Sequence, residues 1–136
     1  MHTVSANGQM SSPRRILLVD DERHIQRINL EGLTHAGYQV DIADSGVSAW
    51  KALTTNSYDL MITDNTMPRV SGMDLIKHMR SEGITLPVIL ASGTARMDEL
   101  DRFPWMAVSA LLPKPYSIGQ LLKVVDSVLH TTDSER

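Results

Sequence analysis

Five short apolar runs, Ile16 to Val19, Val40 to Ala43, Leu60 to Thr63, Val88 to Ala91 and Ala110 to Leu112, alternate with longer stretches in which apolar residues recur at helical spacing. No other feature limits the fold so tightly. Runs this short, with almost no polar member in the first, third and fourth, suit strands buried on both faces, the condition of a parallel sheet covered by helices. The alternation predicts stacked βαβ units and hence an α/β fold: a doubly wound, five-stranded parallel sheet.

The intervening segments carry ordinary helix signals. Ile25, Ile28, Leu33 and Ala36 form one stripe, and Gly37 stands where a helix C-cap favours glycine. Ala49, Trp50 and Leu53 mark a second helix; a third is expected from about Gly72 to Arg80, with Leu75, Ile76 and Met79 on one face and a stop near Gly83. The last is the clearest, because Ser117 and Gln120 make a capping-box pattern ahead of Ile118, Leu121, Leu122, Val125, Val128 and Leu129. The remaining helix, between Thr94 and Val108, is expected to be short or broken, because Pro104 falls where its later turns would be.

A chain of 136 residues is long enough for one domain with a proper core. Residues 1–13 are expected to form a mobile tail, 14–131 the domain and 132–136 a C-terminal tail, which leaves no room for a second folded unit. A formal net charge of −3, and no basic run longer than Arg14-Arg15, argue against direct nucleic-acid binding. The absence of cysteine excludes disulfides and thiolate metal sites. The opening residues lack an apolar stretch of signal-peptide length, and no window is apolar enough to span a bilayer. A cytoplasmic location without membrane attachment fits these features best.

In an open parallel sheet, ligands gather beyond the carboxyl ends of the strands. The first strand delivers Asp20 and Asp21 there, the third Asp64 and the fourth Ser92, while Lys114 follows the fifth. Each has a reading without chemistry. Asp20 or Asp21 would serve as a helix cap, Asp64-Asn65 as turn residues, Ser92-Gly93 as a loop, and Lys114 as a solvated surface residue. Their convergence on one sheet edge favours a site.

At these separations the runs ILLVDDE, DLMITDNTMPRVSG and LLPKPY resemble the CheY-like receiver domain of two-component response regulators, over about residues 14 to 130. The resemblance implies a flavodoxin-like sheet of order 2-1-3-4-5. It implies that Asp64 is the phosphoacceptor, taking a phosphoryl group from a phosphohistidine of a sensor histidine kinase or phosphotransfer protein. It also implies that Asp20 and Asp21 are the acidic pair that holds Mg2+, with the backbone carbonyl of Thr66 as a further ligand. Ser92 matches the switch hydroxyl and Lys114 the motif lysine. Met67, Pro68 and Gly72 match the loop that shapes the site, and the Lys114-Pro115 bond is usually cis in such domains.

The acidic pair then has a physical rationale. Two carboxylates about 4 Å apart repel by roughly 4 kcal/mol at an effective dielectric of 20, and a third makes full ionisation costlier. A hard divalent cation relieves this while sharing its remaining positions with water and phosphate; Asp21 is expected to bind it directly and Asp20 through water. Phosphoryl transfer needs positioning and positive charge more than a strong base, and Lys114 adds to that charge. The domain would catalyse its own phosphorylation and dephosphorylation without being a turnover enzyme, and the phosphate would shift a conformational equilibrium read by a downstream protein.

Two residues depart from the pattern. Leu111 stands where the family commonly has Tyr or Phe, so an aromatic rotamer switch is lacking, and Pro104 interrupts the usual signalling face. Phe103, Trp105 and Met106 are expected to close the core beneath the shortened helix, or else to form a patch for a partner. Two alternatives share the fold: an interaction module that works without phosphate, and a small-molecule enzyme or cofactor binder, which the lack of a GxGxxG motif and the few aromatics disfavour. LLPKPY also resembles receivers at the ends of hybrid sensor kinases.

Overall fold

The computed structural model describes residues 3–4, 10–11, 13–93 and 102–134. Its centre is a five-stranded parallel sheet built from β1 (Arg15–Val19), β2 (Gln39–Ala43), β3 (Leu60–Asp64), β4 (Val88–Ser92) and β5 (Ala110–Pro113). Numbered within this sheet, the strands lie in the order 2-1-3-4-5. All five apolar runs of the sequence became strands, and each strand extends its run by one residue at one end. Within the stretch expected to be a tail, Thr3–Val4 pairs antiparallel with Met10–Ser11; the rest of residues 1–12 lies outside the described residues.

Strand geometry divides the core in two. Successive side chains point to opposite faces, so Leu17, Val19, Met61, Val88 and Leu90 pack on one side with α2 (Gly46–Thr55) and α3 (Gly72–Ser81). Ile16, Leu18, Leu60, Ile62 and Ile89 pack on the other with α1 (Arg23–His35) and α4 (Ile118–Ser134). Each fully buried Leu or Ile contributes about 1.5–3 kcal/mol. The continuous apolar strands are what this double burial requires.

The helix ends follow local rules. Ser45 with Ser48 and Ser71 with Asp74 form capping boxes at α2 and α3. The predicted Ser117–Gln120 box forms at α4, with the Ser117 N–H donating to Gln120 Oε1 at 2.8 Å and the Gln120 N–H to Ser117 Oγ at 3.1 Å. That helix runs on to Ser134, past the boundary expected at residue 131.

The stripe expected on α1 is rotated. Leu33 is fully buried, but Ile28 is 42 % exposed and Ala36 is exposed, while Asn29 turns inward at 2 % exposure. The polar Asn29 takes the inward position because a hydrogen-bonding partner waits there, which an apolar periodicity cannot register.

The expected short or broken helix falls mainly on residues 94–101, outside the described residues. After it comes a 3-10 turn, Pro104–Met106, with proline in its first positions. Arg80 of α3 holds this turn, donating to the carbonyls of Met106 at 2.7 Å and Ala107 at 3.2 Å as well as to Ile84 at 2.8 Å. The three apolar residues here divide: Met106 is fully buried, Phe103 packs partly against the core, and Trp105 is 52 % exposed. Leu111 packs against the same core, on the face of α2 and α3.

Candidate functional site

The site begins with three backbone bonds that prolong the sheet at its carboxyl edge. The Asp20 N–H donates to Ala43 O at 3.0 Å, Asn65 to Ala91 O at 2.8 Å, and Lys114 to Ser92 O at 2.9 Å. These bonds hold the residues just beyond β1, β3 and β5 in register with their neighbours. The acidic and basic side chains therefore converge without a long loop to fix.

Asp20 and Asp64 are each only 4 % exposed, while Asp21 is exposed. One carboxylate oxygen from each of the three lies within 4.8 Å of the others, the only such acidic or histidine group among the described residues. The Lys114 ammonium forms an ion pair with Asp64 Oδ1. Ser92 is 3 % exposed and ends β4 one residue after Ala91, the register partner of Asp64. Thr66 is exposed, and no backbone donor among the described residues takes its carbonyl.

Neither aspartate caps α1. Glu22 does, accepting from the N–H groups of His24 at 3.0 Å and Ile25 at 2.9 Å. Asp20 instead accepts the Glu22 N–H at 2.9 Å through one oxygen, and Asp21 accepts no hydrogen bond from the described residues. The capping alternative for the pair is thus taken by the next residue, which frees both aspartates for the pocket.

The electrostatics follow from burial and crowding. Burial foremost, then the charges of Asp64 and Asp21, push the Asp20 carboxyl above its usual range, against the Glu22 N–H and Lys114, which lower it. Burial alone would lower Lys114; the Asp64 hydrogen bond and the charges of Asp64 and Asp20 outweigh it, and the ammonium is held above its usual value. A pocket that strains one carboxylate toward protonation, and still presents two more within 4.8 Å, suits a hard divalent cation with oxygen ligands.

The loop after β3 is shaped by close approach. A Cβ on Gly72 would meet the Asp64 carbonyl oxygen and come within 3.0 Å of Asn65 Cα, so no larger residue fits. Asn65, which sequence reasoning treated only as a turn residue, is 6 % exposed and anchors α3: its Oδ1 accepts the Met73 N–H at 3.1 Å, and its carbonyl accepts the Gly72 N–H at 3.0 Å. Arg69 takes a left-handed φ of 69°, and Lys114-Pro115 is cis. Met67 is buried and Pro68 exposed.

Sequence reading missed three more polar residues. Gln26 donates its amide to the Asp20 carbonyl. Asn29 donates to the Tyr116 hydroxyl at 2.8 Å. Two amides three residues apart, Gln26 and Asn29, on the same side of α1 as Leu33, were the available signal. Beside the carboxylates, Asp21, Arg23, Gln26, Ile42, Asp44 and Ser48 line an open crevice of about 450 Å³. A larger one of about 720 Å³, lined by Tyr58, Arg80 and Pro87 among others, receives none of the three carboxylates.

Comparison with known proteins gives the same picture. Residues 16–126 match the family model described as "Response regulator receiver domain". The chain is 30% identical over 115 residues to the transcriptional regulatory protein CusR of Escherichia coli, covering 85% of this chain and 51% of that protein. It therefore spans about half the length of this curated relative. Among solved structures it is similar to the receiver domain of Francisella response regulator 1452, with TM-score 0.80, 27% identity and coverage of 88% of this chain and 98% of that one. It is also similar to response regulator TrrA of Thermotoga maritima, solved in complex with Mg(2+)-BeF, with TM-score 0.74, 29% identity and coverage of 85% and 98%.

Proposed function

This chain belongs to the response regulator receiver family, and from that premise we propose that it is a phosphoacceptor in a two-component phosphorelay, with Asp64 as the residue that takes the phosphoryl group. The observation that carries the reading is the buried Asp64 carboxylate, paired with Lys114 and within 4.8 Å of oxygens from Asp20 and Asp21.

A carboxylate oxygen of Asp64 attacks the phosphorus of a phosphohistidine on a sensor histidine kinase or phosphotransfer protein. The new P–O bond forms as the P–N bond breaks, and the imidazole leaves with the electron pair and takes up a proton. Asp64 needs no activating base, because an ionised carboxylate is already nucleophilic. Asp20, Asp21, Asp64 and the Thr66 carbonyl would hold Mg2+, which when bound supplies positive charge for the phosphoryl oxygens. Lys114 adds a second cation on the Asp64 side, and the same charges favour the water attack that resets the domain. It thus acts on itself, once per signal, and is not a turnover enzyme.

Ser92, buried at the end of β4, would supply the hydroxyl that bonds the phosphoryl group, and because Leu111 offers no polar group the response runs without an aromatic hydroxyl. The readout is a protein surface for a downstream partner, not nucleic acid. Among the described residues no helix is long and apolar enough to cross a membrane, and we place the relay in the cytoplasm, where kinases present phosphohistidine.

Incubation with acetyl phosphate and Mg2+, read by intact mass, tests this. One phosphoryl adduct is expected, absent in Asp64→Asn and absent without Mg2+. No adduct on a folded domain that still binds Mg2+ overturns the reading and leaves an interaction module that works without phosphate.

A further inference from the structure

The bond between Asn29 and Tyr116 has no part in the mechanism above, yet it joins the two halves of the pocket. Asn29 lies on the inward face of α1 at 2 % exposure, next to a core made of Leu33, Ile16, Leu18 and Leu121. A buried amide is costly unless it is bonded. Here Asn29 Nδ2 donates to the Tyr116 hydroxyl at 2.8 Å.

Tyr116 is separated from Lys114 by a single residue, and its hydroxyl is within electrostatic reach of the pocket. Burial foremost, then the charges of Asp20 and Asp64, hold the phenol above its usual value, while the Asn29 amide and Lys114 act the other way. Contact with α1 continues along the chain. A Cβ on Gly32 would collide with the Ile118 side chain, so α1 lies close against the start of α4. Three residues before Asn29, Gln26 holds the Asp20 carbonyl. The inward face of α1 thus grips the aspartate loop through Gln26 and the lysine loop through Asn29. An apolar pair would fill the Asn29–Tyr116 position equally well but would not fix a distance, whereas a hydrogen bond sets one.

We propose that Asn29 and Tyr116 are a positioning pair whose hydrogen bond sets where the Lys114 loop stands against α1, and so where the ammonium meets Asp64. The proposal rests on the phosphoacceptor reading for its effect on rate, and on geometry alone for its effect on the loop.

The test compares Asn29→Leu, Tyr116→Phe and the double variant, which replaces both polar groups by apolar ones of similar shape and so guards against loss of the fold. Three quantities are read: the rate of Asp64 phosphorylation by acetyl phosphate at saturating Mg2+, the Mg2+ Kd by calorimetry, and hydrogen exchange at the Lys114 amide. Each single variant is expected to slow phosphorylation about tenfold, and the double variant also about tenfold, because one shared contact is lost. The Mg2+ affinity is expected not to weaken, and Lys114 exchange to speed up about tenfold. Losses that multiply to about 100-fold in the double variant, a rate unchanged from wild type, or a parallel loss of Mg2+ affinity would each overturn the positioning role. If the wild type itself takes no phosphate, the phosphoacceptor reading falls. Unchanged Lys114 exchange overturns the pair's hold on the loop whatever the phosphate does.

Discussion

The Lys114 ammonium rests directly on the Asp64 carboxylate, so the same cation that would steady a phosphoryl group would also compete with a divalent ion for the acidic pocket. Lys114→Gln separates these roles. Phosphorylation by acetyl phosphate is expected to slow about 100-fold, the usual loss when one preorganised donor is removed. Mg2+ is expected to bind roughly tenfold tighter, because a positive neighbour has gone. Intact-mass time courses and calorimetry read the two; weaker Mg2+ binding would contradict the competition.

Burial and the neighbouring carboxylates strain the ionised form of Asp20, and a bound Mg2+ would relieve that strain. Its carboxyl is held above the ordinary 3.8, which means folding favours the protonated form. That contribution is full below the ordinary value and is lost as pH rises through the raised one. Asp20→Asn keeps an oxygen to accept the Glu22 N–H and removes the charge. Thermal melts at neutral pH without Mg2+ should therefore show a rise of about 4 °C, near what ~1 kcal/mol gives at this size, and the advantage should vanish in acid or in saturating Mg2+.

Gly72→Ala places a methyl group against the Asp64 carbonyl and Asn65 Cα. Backbone cannot give way as a side-chain tip can, so a stability loss of about 2 kcal/mol is expected. On the proposed function phosphorylation should slow as well, since the displaced atom belongs to Asp64. Urea unfolding and the mass assay check both; a variant as stable as wild type would show that the loop can shift freely.

A polar cluster far from the pocket has its own pH signature. Tyr58 donates to Asp41 Oδ2 at 2.7 Å, and Arg15 reaches the same oxygen at 3.0 Å. Burial first, then the Asp41 bond and charge, push the phenol from 10.0 up to about 12. Stability from this group is complete below pH 10 and drains away as pH rises toward 12. Tyr58→Phe should lose about 1 kcal/mol at neutral pH and show a shallower decline across the alkaline window. Parallel slopes in denaturant titrations of the two proteins would refute the assignment.

Arg80 closes the far side of α3 by holding the carbonyls of Met106, Ala107 and Ile84. Arg80→Met takes the guanidinium donor from the part-buried carbonyls of Met106 and Ile84 and from the exposed one of Ala107, and a loss of about 1 kcal/mol is expected. Amide exchange should rise at Met106 and Ala107 and stay unchanged in β1 and β3; uniform loosening would place the guanidinium outside any local role.

The sheet was legible because double burial forces an unbroken apolar run, which sequence displays directly, and the strand order came with the motif resemblance. Asp20, Asp21, Asp64 and Lys114 were legible because strand ends in such a sheet share one edge. What escaped was relational. Glu22 displaces the aspartates as cap only because its own side chain reaches two N–H groups, and nothing in DDE says which acid will do so. Asn29 faces inward because Tyr116, distant in sequence, awaits it, and apolar periodicity placed Ile28 there instead. Asn65 read as turn chemistry, since its grip on Met73 depends on how tightly Gly72 lets the loop fold back.

That last grip has a mechanical meaning. Asn65 follows Asp64 without a gap and is clamped on both sides: to β4 through its own N–H, and to the first turn of α3 through its carbonyl and side-chain oxygens. No slack link stands between the point where a phosphate would attach and the base of that helix. A tug on the one would be delivered to the other as by a stiff crank, so the later turns of α3, where the His78 ring meets Trp50 at a tilt and Lys77 covers Phe103, are wired to Asp64 by the backbone itself.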